Sequence, residues 1–209
     1  MTRRGRILLA IAALLTIAAL ILPLWTVRLV APQYPEGLGL AIRTSTVVGL
    51  KPGDLLSINE LNHYIGMRVI VPNAIPELAW MPKIVAFLAA ILLIAAAFGS
   101  RRLAAAWCVL AVALAAAGIW DFHRWEYDYG HNLDMANAII VIPGMSYQPP
   151  LLGSKQLLNF TATSWPASGT LALGGAMILV ALAAADRKRT SRRPVPIVPA
   201  VPHLAGTPA

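Results

Sequence analysis

Four apolar runs constrain this chain more than anything else in it: Ile7–Trp25, Trp80–Phe98, Leu103–Trp120 and Gly169–Ala185. A helix needs roughly 20 such residues to cross about 30 Å of hydrocarbon, and each run is near that length. The second has a strict apolar core of Ile84–Phe98. Lys83 can snorkel from its outer end, so Leu78–Met81 completes the span. Composition agrees, with 58% hydrophobic and 12% charged residues against about 25% charged in a soluble domain. The expected fold is an α-helical integral membrane protein: a bundle of four transmembrane helices under a small α+β extracytoplasmic cap made by two long loops.

Orientation follows from the basic residues. Arg3, Arg4 and Arg6 precede the first run, and Arg101 and Arg102 sit in the tight turn between the second and third. Arg187, Lys188, Arg189, Arg192 and Arg193 follow the fourth, so these flanks hold ten of the 17 Lys and Arg residues. Eight of the nine acidic residues lie in the long loops. The flanks and both termini are therefore expected in the cytoplasm of a bacterial inner membrane, crossed several times, with the loops periplasmic. Trp25, Trp80, Trp120, Trp125 and Trp165 fall at the outer ends, as an interfacial belt requires. A cleaved signal peptide is the rival reading of the N-terminus, but Leu29-Val30-Ala31 makes a poor cleavage site. The net charge of +8 does not point to nucleic acid, because it gathers at the ends of apolar runs rather than in a basic stripe with aromatics.

The expected organisation is an N-terminus and first span over 1–25, outer loop one over 26–79, and a helical hairpin over 80–120. Outer loop two covers 121–166 and the fourth span 167–186. A basic stop and a proline-rich tail occupy 187–209, where His203 reads as incidental. No apolar core holds Asp, Glu, Lys, Arg or His, which argues against an ion-coupled carrier or a bis-histidine haem protein. Gly169, Gly174 and Gly175, with Ala172 and Ala176, give the fourth helix a small-residue face for close packing. Function is thus expected in the loops. There, Leu38–Val48, Met67–Val71 and Ala138–Ile142 read as strands, and Ile58–Met67 as a helical turn closed by Gly66 and capped by Asp54 or Ser57.

His63 and Met67 are spaced i, i+4, and so are His131 and Met135, one pair in each loop. On a helix that spacing puts an imidazole and a soft thioether on one face, a donor set suited to Cu(I). Met145 and His123 add one candidate of each kind. The plainer alternative is that the histidines hydrogen-bond the loops together while the methionines fill the cap. A second constellation is Asp121, His123, Glu126, Asp128 and His131, which could bind a metal or act as a general acid–base pair. With Arg124 in its midst it also reads as a locally ion-paired interfacial segment. No nucleophile elbow, phosphate-binding glycine loop or His-Glu-x-x-His is present, so an enzyme is the less favoured reading. The single cysteine, Cys108, lies inside an apolar run and excludes an intrachain disulfide or a Cys-based zinc site.

Ala31–Leu38 and Ile58–Met67 in the first loop, with Trp125–Asp134 and Pro143–Pro150 in the second, resemble an uncharacterised bacterial membrane-protein family. That family is associated with gene neighbourhoods for nitrous-oxide-reductase maturation and copper delivery. The resemblance implies a copper-related accessory role in denitrification and favours His63, Met67, His131 and Met145 as metal ligands. The family pattern has proline where this chain has Met135. The leading expectation is a non-enzymatic membrane accessory protein whose cap binds copper and helps mature or supply a periplasmic redox enzyme. The alternative is a metal-free structural or assembly subunit that binds a partner protein through its outer loops.

Overall fold

The computed structural model describes residues 1–157 and 159–186. The expected basic stop at 187–193 and the tail beyond it lie outside the described residues. The chain runs α1 (Arg3–Ala18), β1 (Trp25–Ala31), β2 (Tyr34–Ile42), β3 (Val47–Gly49) and α2 (Asp54–Tyr64). A 3-10 turn at Pro72–Ala74 leads into α3 (Glu77–Phe98), then α4 (Arg101–His131), β4 (Gly153–Leu157), β5 (Phe160–Pro166) and α5 (Ser168–Ala185). Three of the helices, α3, α4 and α5, are long and apolar enough to cross a membrane. α1 has 16 residues, but Leu20, Ile21 and Leu22 still donate to the carbonyls of Ile17 and Ala18, so its coil extends to Leu22 before Pro23.

The four apolar helices close into one bundle, in which α1 and α4 each pack against both α3 and α5. Its core is built largely from small residues, among them Ala12, Ala13, Ala95, Ala104, Ala111, Ala176 and Ala183, around Leu9, Leu92, Val180 and the buried Trp107. Small side chains let the helix backbones approach closely, which is how apolar helices gain contact when lipid is as apolar as leucine. Trp107 is large but its polar edge is satisfied: Nε1 donates to the Leu88 carbonyl at 2.9 Å. The small-residue face of α5 is used in part. Ala176 is buried, Gly175 meets Leu15, and a Cβ at Gly169 would stand 2.8 Å from the Pro23 carbonyl oxygen, whereas Gly174 faces open space.

At one end of the bundle the helix termini bind one another. Arg6 donates through Nε and a terminal nitrogen to the Ala96 and Ala97 carbonyls at 2.8 and 2.7 Å, satisfying the last turn of α3. Arg101 bonds the Asp186 carbonyl, and the Thr2 hydroxyl bonds the Asp186 carboxylate. At the other end stands a five-stranded antiparallel sheet of order β3-β2-β1-β5-β4. In β1, Val27 pairs with Leu40 of β2 and Ser164 of β5. That face packs on Ile58 of α2, on Ile70 and Ile75, and on Leu78 and Met81 of α3. Arg43 and Thr44 in the β2–β3 turn donate to the Ile21 and Leu20 carbonyls, and Thr170 donates to Leu24. These bonds take up the orphan carbonyls where α1 hands over to the sheet.

Several boundaries differ from the sequence expectation. The first apolar run ends as helix well before Trp25, which opens β1 and donates from Nε1 to the Ser164 hydroxyl at 2.6 Å. Leu38–Val48 is a hairpin of two strands rather than one. Met67–Val71 and Ala138–Ile142 are not strands. Their backbone groups are taken elsewhere: Asn59 binds both the N–H and the carbonyl of Ile70, at 2.8 and 3.1 Å, and the Tyr64 carbonyl accepts from both Ile139 and Ile140. The polar-aromatic run from Asp121 is helical, extending α4 as far as His131.

Candidate functional site

The two connecting segments meet along a seam, and backbone groups make it. The Tyr64 carbonyl accepts from the N–H groups of Ile139 and Ile140 at 3.1 and 2.9 Å, and the Gly66 carbonyl accepts from Asp134 at 2.7 Å. Gly66 has φ +76°, and a Cβ there would stand 2.8 Å from the Asp134 carbonyl oxygen. Only glycine allows both that conformation and that approach. Arg68 pairs with Asp128 of α4 and lies over the Tyr129 ring, 5.3 Å from its centroid. Asp134 turns the second segment by accepting from the backbone of Ala136 and Asn137 and from the Asn137 side chain. Those bonds, the side-chain one foremost, hold its carboxyl below the usual range.

α2 is fixed beneath the seam by a buried carboxylate. Asp54 Oδ2 accepts from the backbone N–H of Gly39 at 3.0 Å and of Lys51 at 3.1 Å, tying the helix to β2. The N-cap is Gly53, in a left-handed conformation, rather than Asp54 or Ser57. α2 ends at Tyr64, so Met67 lies past the helix and does not share a helical face with His63. α4 ends at His131, so Met135 likewise falls in the following turn. His63 is exposed and lines a shallow groove of about 590 Å³ with Leu56, Asn59, Glu60, Tyr64 and Ile139. Met67 and Met145 are half-buried, and Met135 is exposed. The seam thus brings the segments bearing His63 and Met135 together, but no hydrogen bond or ring contact among the described residues joins any two of the five candidates.

His131 is the most ordered of them. Its ring stacks on Tyr127 with centroids 4.0 Å apart, and Nδ1 lies 2.9 Å from the Tyr127 carbonyl oxygen. A carbonyl only accepts, so Nδ1 carries the proton and the Nε2 lone pair of the neutral ring is left for another partner. The Asp121–His131 constellation is spread around a helix. Asp121 pairs with Arg124, Asp128 with Arg68 and Asn132, and Arg124 also reaches Glu77 at 3.5 Å. Among the described residues no three His, Cys, Asp or Glu side chains gather where one ion could bind them.

Glu126 stands apart from that set. It is 6% exposed, and neither carboxyl oxygen has a hydrogen-bond partner. Phe122, Glu126 and Gly130 share one face of α4. Phe122 packs on Trp25 with centroids 5.4 Å apart. At Gly130 the carbonyl accepts from Tyr147 N–H at 2.9 Å, and a Cβ would stand 2.4 Å from the Gln148 backbone. Residues 147–151 therefore run as a strap from Gly130 back toward Ser164, whose hydroxyl donates to the Leu151 carbonyl. The middle of that strap is Pro149-Pro150, which has no N–H to offer a carboxylate. The Tyr147 hydroxyl is buried without a partner as well. Burial pushes the Glu126 carboxyl up to about 7, which makes it a group that exchanges a proton near neutral pH. The Glu126–Gly130 spacing was visible in the sequence, but the strap that packs on Gly130 was not.

Comparison with protein-family models, with curated proteins and with solved structures found no match for this chain.

Proposed function

We propose that this chain is a bacterial inner-membrane protein of four spans, with both termini cytoplasmic, and that its periplasmic cap docks a partner protein without catalysing a reaction. Exposed apolar side chains support the membrane reading, since they surround the bundle: Ile7, Ile11 and Leu14 on α1, Phe87 and Phe98 on α3, Val109 and Ile119 on α4, Ile178 and Leu182 on α5. In water such a belt would far exceed the apolar patches that monomers tolerate. The arginines at the opposite end from the sheet support the orientation.

One observation carries the docking role. Leu56, Tyr64, Val69, Val71, Ile139 and Ile140 are all exposed around the seam. Arg68 pairs with Asp128, three residues beyond Trp125, the last of the belt tryptophans on α4, a rise of about 4–5 Å. The patch therefore lies at the outer rim of the aromatic belt, on the side away from the hydrocarbon. An apolar patch rimmed by polar groups in water marks a protein contact. A photo-reactive residue at Tyr64 should form one defined adduct in intact cells, and Ile139→Glu should abolish it while leaving thermal stability unchanged. An adduct that persists in Ile139→Glu would contradict the reading.

Copper binding by the cap is the second reading, favoured by the fixed His131 ring and by His63 on the same seam. Imidazole and thioether donors suit Cu(I), and His63, Met67, His131, Met135 and Met145 would supply them. Cu(I) titration of the purified protein should then show one site lost in His63→Ala/His131→Ala. Equal binding by wild type and variant would remove the reading.

A further inference from the structure

The basic end of the bundle holds a second groove. Thr2, Arg3, Arg6, Ile7, Ala10 and Ala96 line about 630 Å³ between α1 and α3. Its character changes along its length: two guanidinium groups at the terminus, then the small floor of Ala10 and Ala96. Ile7 beside that floor, with Ile11 and Leu14 further along the helix, forms an exposed apolar track on α1. Among the described residues, no acidic side chain lines the groove. The nearby Asp186 is already engaged, its carboxylate by Thr2 and its carbonyl by Arg101.

The two arginines differ in a useful way. Arg6 is pinned by its bonds to the Ala96 and Ala97 carbonyls, which leaves the outer N–H groups of its planar fork directed away from α3. Arg3, one turn earlier on the same side of α1, is exposed and has no hydrogen bond or ion pair among the described residues. A fixed fork and a free one, three residues apart, match the oxygens of a phosphodiester.

We propose that this α1–α3 groove binds one anionic phospholipid of the surrounding bilayer, its phosphate held between Arg3 and Arg6 and an acyl chain laid along Ile7, Ile11 and Leu14. The apolar track selects a lipid over free phosphate, and the unopposed positive charge selects an anionic headgroup over a zwitterionic one. The site rests on the membrane reading above, because it needs the arginines at headgroup depth.

Native mass spectrometry of the full chain, released from detergent with phosphatidylglycerol or phosphatidylcholine added, tests this. One phosphatidylglycerol should be retained in preference to phosphatidylcholine. Arg3→Gln should weaken retention roughly fivefold, as expected for losing one surface charge contact. Ala10→Leu, which fills the floor without touching a charge, should weaken it too, and Lys155→Gln on the sheet should not. Inorganic phosphate alone should not displace the lipid. Equal retention of the two lipids, or undiminished phosphatidylglycerol in both groove variants, would overturn the proposal, and displacement by phosphate would make it a simple anion site. If the chain left the membrane fraction without detergent, the membrane reading itself would fail, which is a separate and distinguishable result.

Discussion

Replacing Glu126 by Gln tests the packing of the strap on α4 through its pH dependence. A carboxyl raised from 4.5 to about 7 holds its proton more tightly in the folded chain than in the unfolded one. At pH below 4.5 it is protonated in both, and its burial carries no electrostatic penalty. As pH rises from 4.5 toward 7 the unfolded chain ionises first, so stability falls by roughly 1.4 kcal/mol per pH unit. Above 7 the loss is complete, at about 3 kcal/mol. Gln keeps the shape and never ionises, so Glu126→Gln should come closest to wild type below pH 4.5 and exceed it at pH 8. For a chain of this length that gap corresponds to roughly 6–12 °C in Tm. Thermal unfolding in detergent, followed by tryptophan fluorescence at several pH values, measures it. The wild-type-minus-variant difference is the readout, because other groups titrate identically in both. Curves that stay parallel from pH 5 to pH 8 would refute the reasoning and place Glu126 in contact with water.

Gly130→Ala should lower stability by about 1–3 kcal/mol, since its Cβ would overlap the Gln148 backbone. By lifting the strap it should also flatten the pH dependence that Glu126 imposes, seen in the same unfolding series. Asn59→Ala removes both bonds to the Ile70 backbone and should cost about 1–3 kcal/mol, measured as a drop in Tm. Gly66→Ala should open the seam, because of its positive φ and the Asp134 carbonyl beside it. Faster amide exchange at Asp134 and Ile140 than in wild type would report that opening.

What the sequence made legible was whatever hydrophobicity alone decides. The four apolar helices, the arginines at one end and the turn at Gly99–Arg102 follow from local pattern and charge. β1 is harder to see because Trp25 continues an apolar run, although Trp25, Val27, Leu29 and Ala31 alternate with Thr26, Arg28 and Val30 as a half-buried strand should. Met67–Val71 and Ala138–Ile142 have strand composition but find no ladder partner. A side chain of α2 and a single carbonyl take their backbone groups instead, and such competition depends on tertiary placement. The His-x3-Met pairs were legible as spacing only. Both helices stop short of the methionine, at Tyr64 and at His131, so the spacing does not become a shared face. Glu126 looked like one charge in a polar run. Its burial is a tertiary effect that a local run of charges does not show.

The central claim is that the sheet and seam stand on the periplasmic side of a membrane-embedded bundle, and cysteine accessibility in intact cells tests it most directly. In a Cys108→Ser background, Ser154→Cys on exposed β4 and Arg4→Cys at the basic end would be treated with a membrane-impermeant maleimide. Labelling of Ser154→Cys in intact cells, with Arg4→Cys labelled only after the cells are opened, is the predicted result. The reverse pattern would turn the molecule over, place the cap in the cytoplasm, and contradict the account.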